Sequence, residues 1–231
     1  MRRNRQSRTP SPRSRQSRRT RPSRTRPPRS LTTSSSSSKP VAVAITGGIG
    51  AGKTEALRAF ARHGAAVVSS DEIVHELLRS DPEVRRAVVD RLGPEVVGAD
   101  GEIDRGKVGE IVFADPESLA WLERLLHPRV VARYLGWREE LAELEDPPEV
   151  CVTEVPLLYE VGGESRFDKV VVVTASPEVR ISRHIGPMRD RELRLIPDGE
   201  KAARADFVYV NDGTLAELDA FVSDVMSTLS R

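Results

Sequence analysis

The apolar run Val41-Ala42-Val43-Ala44-Ile45-Thr46 passes directly into Gly47-Gly48-Ile49-Gly50-Ala51-Gly52-Lys53-Thr54, and a helical pattern follows. A G-x-x-x-x-G-K-T loop between a strand and a helix leaves few folds open. The glycines let the backbone wrap closely round a phosphate chain. Successive N–H groups and the N-terminus of the next helix then point at oxygen. The Lys53 ammonium reaches the β- and γ-phosphates, and the Thr54 hydroxyl ligates Mg²⁺. The candidate phosphate contacts are Gly47, Gly48, Ile49, Gly50, Ala51, Gly52, Lys53, Thr54 and Glu55. This pattern predicts a nucleoside triphosphate site; the competing reading is a glycine turn without a ligand.

Strand and helix signals alternate from Val41 onward, which predicts an α/β fold with a parallel sheet covered by helices. Thr54–His63 reads as a helix with Leu57, Phe60 and Ala61 on one face and Gly64 as its stop. Ala65–Ser70 reads as the second strand. Asp81-Pro82-Glu83 and Asp115-Pro116-Glu117 each supply an N-cap, a proline at the first helical position and an acid in the first turn. They open helices over about 82–92 and 116–126, and a long helical pattern continues from Pro128 to Leu144. The expected arrangement is an all-helical insertion, about 72–146, between the second and third strands. Val150–Leu158 and Lys169–Ala175 are near-continuous apolar runs of buried-strand type. Ser176-Pro177-Glu178 starts another helix, Asp206–Asn211 is the last strand, and Thr214-Leu215-Ala216-Glu217 is a capping box.

The 231-residue chain has a net charge of +1, which hides two unlike segments. Residues 1–40 hold 13 Lys and Arg and no acid; the rest carries 23 basic against 35 acidic residues, a formal charge of −12. The tail of Arg, Ser, Pro and Thr has no aliphatic or aromatic side chain between Met1 and Leu31, and is expected to be disordered. It fits a plain extension, an electrostatic arm for nucleic acid or another acidic surface, or a targeting segment. Nucleic acid enters as a partner only through this tail. Residues 41–231 suffice for one α/β domain with a sizeable core and are too few for two ordinary ones. A single cysteine, Cys151, rules out an intrachain disulfide and points to a reducing, cytoplasmic setting. No apolar run is long enough to span a membrane, and a monomer is the expected state.

A phosphate loop alone does not separate kinase from GTPase, motor or transporter subunit; the residues downstream do. Asp71 follows the second strand at its C-terminal end, where doubly wound sheets bind ligands. A carboxylate there takes the proton of an acceptor hydroxyl or orients it for in-line attack. Asp71 also fits the N-cap of a helix over Glu72–Leu78, and the two roles are compatible.

Ala44 through Thr54, with Asp71 behind it, resembles the opening of the dephospho-coenzyme A kinases. Trp121-Leu122-Glu123-Arg124-Leu125-Leu126-His127-Pro128, Val155-Pro156-Leu157-Leu158-Tyr159-Glu160, Ala205-Asp206-Phe207-Val208 and Asn211-Asp212-Gly213-Thr214 follow in that family's order. The likeness covers essentially all of residues 41–231. It implies a P-loop NTPase three-layer fold with a five-stranded parallel core, a helical substrate domain and a lid at about 183–204. It also implies transfer of the ATP γ-phosphoryl group to the 3′-hydroxyl of dephospho-coenzyme A, with Mg²⁺. By the same resemblance Asp71, Lys53, Arg183 and Arg191 are catalytic. His127 and Glu160 lie on the acceptor side, and Asn211-Asp212-Gly213 lies near adenine. From the residues alone, His127 also fits a helix-terminal histidine, Glu160 a local cap or pair, and Asn211-Asp212-Gly213 a turn.

Two departures stand out. Ser69 occupies a position where the family usually has an acid. The stretch from Arg183 to Ala205-Asp206 is several residues shorter than the family's, a helical piece with a further arginine is missing, and Leu195 replaces a usual glutamine. Arg189 is a candidate substitute, and all these arginines also fit a solvated helix face. Three functions remain on the table: the family's kinase, a kinase for another small acceptor such as a nucleoside, and a nucleotide-binding protein held on nucleic acid by its tail.

Overall fold

The computed structural model describes residues 39–183 and 195–230; residues 1–38, Arg189 and Arg191 lie outside the described residues. Five strands, β1 (Val41–Thr46), β2 (Ala66–Ser69), β3 (Val150–Glu154), β4 (Lys169–Thr174) and β5 (Phe207–Val210), form a parallel sheet in the order β2-β3-β1-β4-β5. The period of two along each strand sends alternate side chains to opposite faces. Val43, Ile45, Val150, Val152, Val171 and Val173 pack on one side with α1 (Lys53–Arg62) and the C-terminal helix α8 (Leu215–Leu229). Ala44, Val170 and Val172 pack on the other, with Leu158 and Tyr159. Both faces are covered, which is why these strands read as unbroken apolar runs.

The third strand is shorter than its apolar run. It ends at Glu154: Val155 still donates its N–H to the Ile45 carbonyl at 2.9 Å, Pro156 cannot donate to the ladder, and the chain turns over Pro156–Glu160. On α1 the buried side chains are Ala56, Leu57, Ala59 and Phe60; Ala61, assigned to that face from spacing, is exposed.

Between β2 and β3 lie α2 (Ser70–Ser80), α3 (Pro82–Leu92), α4 (Arg105–Ala114) and α5 (Pro116–Ala142), with a core of their own around Leu77, Val84, Val88, Leu122 and Leu126. Asp81 and Asp115 cap α3 and α5 as expected, each accepting two backbone N–H groups. The insertion is not wholly helical, since Val97 and Ile103 form an antiparallel bridge around a turn. The two helices expected over 116–126 and 128–144 are one, with Pro128 inside it. A proline there removes one hydrogen bond and costs about 3 kcal/mol. Leu122, Leu126, Val130 and Tyr134 continue a buried stripe straight through it, and each such side chain contributes about 1.5–3 kcal/mol. Packing outweighs the break, and the Arg129 guanidinium donates to the Leu125 carbonyl beside it at 2.9 Å.

Cys151 is buried in β3, and burial pushes its thiol up to about 11. At pH 8 only about one thiol in a thousand would be ionised. Ellman's reagent should therefore label the native chain at least about a hundredfold more slowly than the chain in denaturant; equal rates would place Cys151 outside the core.

Candidate active site

β1 delivers the glycine loop to the C-terminal edge of the sheet, between β3 and β4. The loop's shape depends on glycine at defined points. Gly47 has φ 141°, and a β-carbon there would lie 1.9 Å from the Val173 carbonyl oxygen. Gly52 has φ 96° and opens α1 in the left-handed region that only glycine occupies cheaply. Asn211, 5% exposed, donates its side-chain amide to the Ala51 carbonyl at 2.9 Å. Asp212 accepts the Ser176 N–H at 2.7 Å. The Asn211-Asp212 pair thus braces the loop and the start of the next helix.

The Lys53 Nζ donates to the Gly48 carbonyl at 2.9 Å, curling the side chain over the loop. Burial lowers its pKa from the ordinary lysine value, opposed by Glu154 and Asp71. Thr54 is exposed in the first turn of α1. The Glu55 carboxylate turns away to pair with Arg58 at 3.2 Å and Arg62 at 3.3 Å, which leaves its backbone N–H as its offering to the loop.

Asp71 sits exposed in the first turn of α2. It is not the helix cap. Ser69 is, accepting the Asp71 N–H at 3.3 Å, because β2 ends one residue earlier than its apolar run suggested. The Asp71 carboxylate is thereby released from capping and acts on both Lys53 and Glu154.

Glu154 was not singled out from sequence. It ends β3, 4% exposed, in register with Ile45 on one side and Ser69 on the other. Burial raises its pKa, while Lys53 and the Ser69 hydroxyl pull it down. Its signal was available: it is the first carboxylate in the apolar run that follows the helical insertion. Sheet order was needed to place it beside the loop. Among the described residues no group of three or more His, Cys, Asp or Glu could hold a metal ion. The oxygen donors near the loop include the Thr54 hydroxyl and the carboxylates of Asp71, Glu154 and Asp198.

His127 and Glu160, far apart in sequence, line the same cavity of about 1020 Å³ as Gly47, Ile49 and Lys53. His127 projects half-buried from mid-α5. The Glu160 Oε1 accepts the Ile196 N–H at 3.0 Å and lies 2.8 Å from the Nζ of Lys201, which is fully buried. Glu160 is thus both a cavity wall and a locally paired residue. Arg105 and Phe113 of α4 line the same cavity, and the Arg105 Nη1 stands 3.0 Å from His75 Nδ1. Sequence reading passed over both.

Of the proposed lid arginines, Arg183 ends α6 (Pro177–Arg183) and donates to the Asn211 carbonyl at 2.9 Å, beside the loop. Arg191 lies outside the described residues. Leu195 lines the cavity, and α7 (Asp198–Ala203) follows it.

Comparison with known proteins gives a consistent set of matches. The family profile described as dephospho-CoA kinase matches residues 41–217. The dephospho-CoA kinase of Streptomyces avermitilis is 39% identical over 194 residues, covering 81% of this chain and 93% of that protein. That of Protochlamydia amoebophila is 38% identical over 194 residues, covering 81% and 95%. A crystal structure from Thermus thermophilus superposes with a TM-score of 0.66 at 32% identity, covering 84% of this chain and 100% of that one. The dephospho-CoA kinase of Campylobacter jejuni shares the fold at a TM-score of 0.59 and 24% identity, covering 84% and 99%.

Proposed function

The chain belongs to the dephospho-CoA kinase family and catalyses the last step of coenzyme A synthesis, and from that premise we propose how its residues divide the work. The observation that carries the proposal is the shared cavity, which puts the phosphate loop, His127 and Glu160 around one space. ATP lies with its phosphates in the loop's ring of N–H groups, against the positive end of α1. Lys53 neutralises charge on the β- and γ-phosphates. Thr54 is the protein's ligand for Mg²⁺, and exposed hydroxyl and carboxylate oxygens suit so hard a cation. When bound, Mg²⁺ supplies further neutralisation of the phosphate oxygens.

Dephospho-coenzyme A enters from the helical side, with His127 and Arg105 as the polar groups of α5 and α4 that meet it. Its ribose 3′-hydroxyl faces Asp71. As the bond from that oxygen to the γ-phosphorus forms and the bond to the β–γ bridging oxygen breaks, Asp71 takes the hydroxyl proton, and ADP leaves. Glu154 stands behind Lys53 and orients its ammonium. Arg183 and Arg191 stabilise charge on the transferred group. We place the enzyme in the cytoplasm as a monomer.

The acceptor is tested by incubating the chain with ATP, Mg²⁺ and dephospho-coenzyme A, adenosine, cytidine or shikimate, and weighing the products. Only dephospho-coenzyme A should gain a phosphoryl group. Phosphorylated nucleoside or shikimate, with no coenzyme A, would reassign the cavity. For His127→Ala the expected result is a KM for dephospho-coenzyme A raised about tenfold with the KM for ATP unchanged. An effect on ATP alone would move His127 to the nucleotide side.

A further inference from the structure

Two charged side chains that the scheme above does not use meet over the phosphate loop. Arg180, one turn into α6, donates its Nε hydrogen to the Ile49 carbonyl at 2.8 Å. Its Nη1 pairs with the Asp198 carboxylate at 3.3 Å, and the two side chains are 16% and 21% exposed. Asp198 begins α7, a different element from the one that carries Arg180. A β-carbon on Gly48 would stand 2.7 Å from its Oδ2 and 3.0 Å from the Arg180 Cζ. A carboxylate therefore lies against the second residue of the loop, close enough to act on Lys53 as well.

This position is an unexpected one for an anion. The loop gathers N–H groups for phosphate oxygens, and a carboxylate on its rim repels what the loop is built to hold. Arg180 explains how the carboxylate is kept there. Its Nε bond fastens the guanidinium to the loop, so the Nη1 can change partners without the arginine moving away. α7 is pinned at its other end, where Lys201 lies 2.8 Å from Glu160 on the cavity wall. One short helix thus ties the loop's rim to the acceptor side.

We propose that Asp198 is a carboxylate gate over the phosphate loop, held by Arg180, and that Arg180 exchanges Asp198 for the ATP phosphates when the nucleotide enters. Arg180 then becomes an arginine on the transferred group, supplied from α6 rather than from the shortened lid. The proposal rests on the loop being the ATP site.

The test uses the full chain with Asp198→Asn, Arg180→Gln and Arg180→Lys, each checked by its thermal unfolding midpoint. ATP and adenosine affinities are read by displacement of a fluorescent nucleotide, and phosphoryl transfer by single-turnover quench. Asp198→Asn should bind ATP about threefold to tenfold more tightly, with adenosine affinity unchanged, because only phosphate meets the gate. Arg180→Gln should transfer about a hundredfold more slowly, and Arg180→Lys should recover only part of that loss, since an ammonium lacks the planar fork that lets a guanidinium hold Ile49 through Nε and a phosphate through its terminal nitrogens. ATP affinity unchanged or weakened in Asp198→Asn, or wild-type transfer in Arg180→Gln, overturns the gate. Failure of the wild-type chain to make coenzyme A would instead overturn the acceptor assignment, while the ATP and adenosine arms would still decide the gate.

Discussion

Replacing Lys53 with alanine should leave a folded protein whose phosphoryl transfer is slower by about three orders of magnitude. The ammonium is curled over the loop by its 2.9 Å bond to the Gly48 carbonyl, poised where phosphate oxygens collect charge. Lys201, the lysine that also acts on it, is itself paired with Glu160 and does not replace it. The fold should survive because Lys53 stands at the start of α1, whose packing comes from Ala56, Leu57, Ala59 and Phe60. Losing the ammonium also leaves Glu154 buried without its nearest opposing charge, so the Glu154 pKa, already raised, rises further. A carboxylate with a raised folded-state pKa favours the native state below its unfolded pKa, and that contribution is lost as pH rises through the folded value. The Lys53→Ala chain should accordingly gain stability on acidification from neutral pH relative to wild type, as measured by unfolding midpoints. Retention of more than about a tenth of wild-type turnover would mean that the loop does not place Lys53 on the transferred phosphate.

Asp71→Asn is expected to slow transfer by about a hundredfold to ten thousandfold while ATP affinity stays within about twofold of wild type. Asparagine keeps the shape and cannot accept the hydroxyl proton. The change is clean in this chain because Ser69, not Asp71, caps α2, so the helix end keeps its hydrogen bond. Asp71 is exposed at the sheet edge and makes no structural ion pair among the described residues. Pre-steady-state quench with titration of a fluorescent nucleotide separates the two quantities. Near-normal transfer would remove Asp71 from the chemistry, and a parallel loss of ATP affinity would make it a nucleotide ligand.

Local signals made the frame legible. The loop, the strands before and after it, and the caps at Asp81, Asp115 and Thr214 follow from short-range chemistry, which a sequence displays directly. The departures arise where tertiary packing decides. Pro128 looks like a stop until the stripe from Leu122 to Tyr134 is seen buried on both sides of it. Glu154 looks like one polar residue in a core strand until the order β2-β3-β1 brings it beside Ile45 and Ser69. Arg180 looks like a solvated helix residue until β4 and α6 set it on Ile49. Lys53, His127 and Glu160 could be chosen from motifs, but their grouping around one cavity, with Asp71 acting on Lys53 from α2, required the fold.

The central claim is that loop and cavity present one hydroxyl to the γ-phosphate and shield it from water. Phosphorus-31 NMR of a wild-type reaction with ATP, Mg²⁺ and dephospho-coenzyme A tests it most directly. ADP and a ribose 3′-phosphate should appear in equal amounts, with little inorganic phosphate. A 2′-phosphate, or inorganic phosphate as the main product, would contradict it.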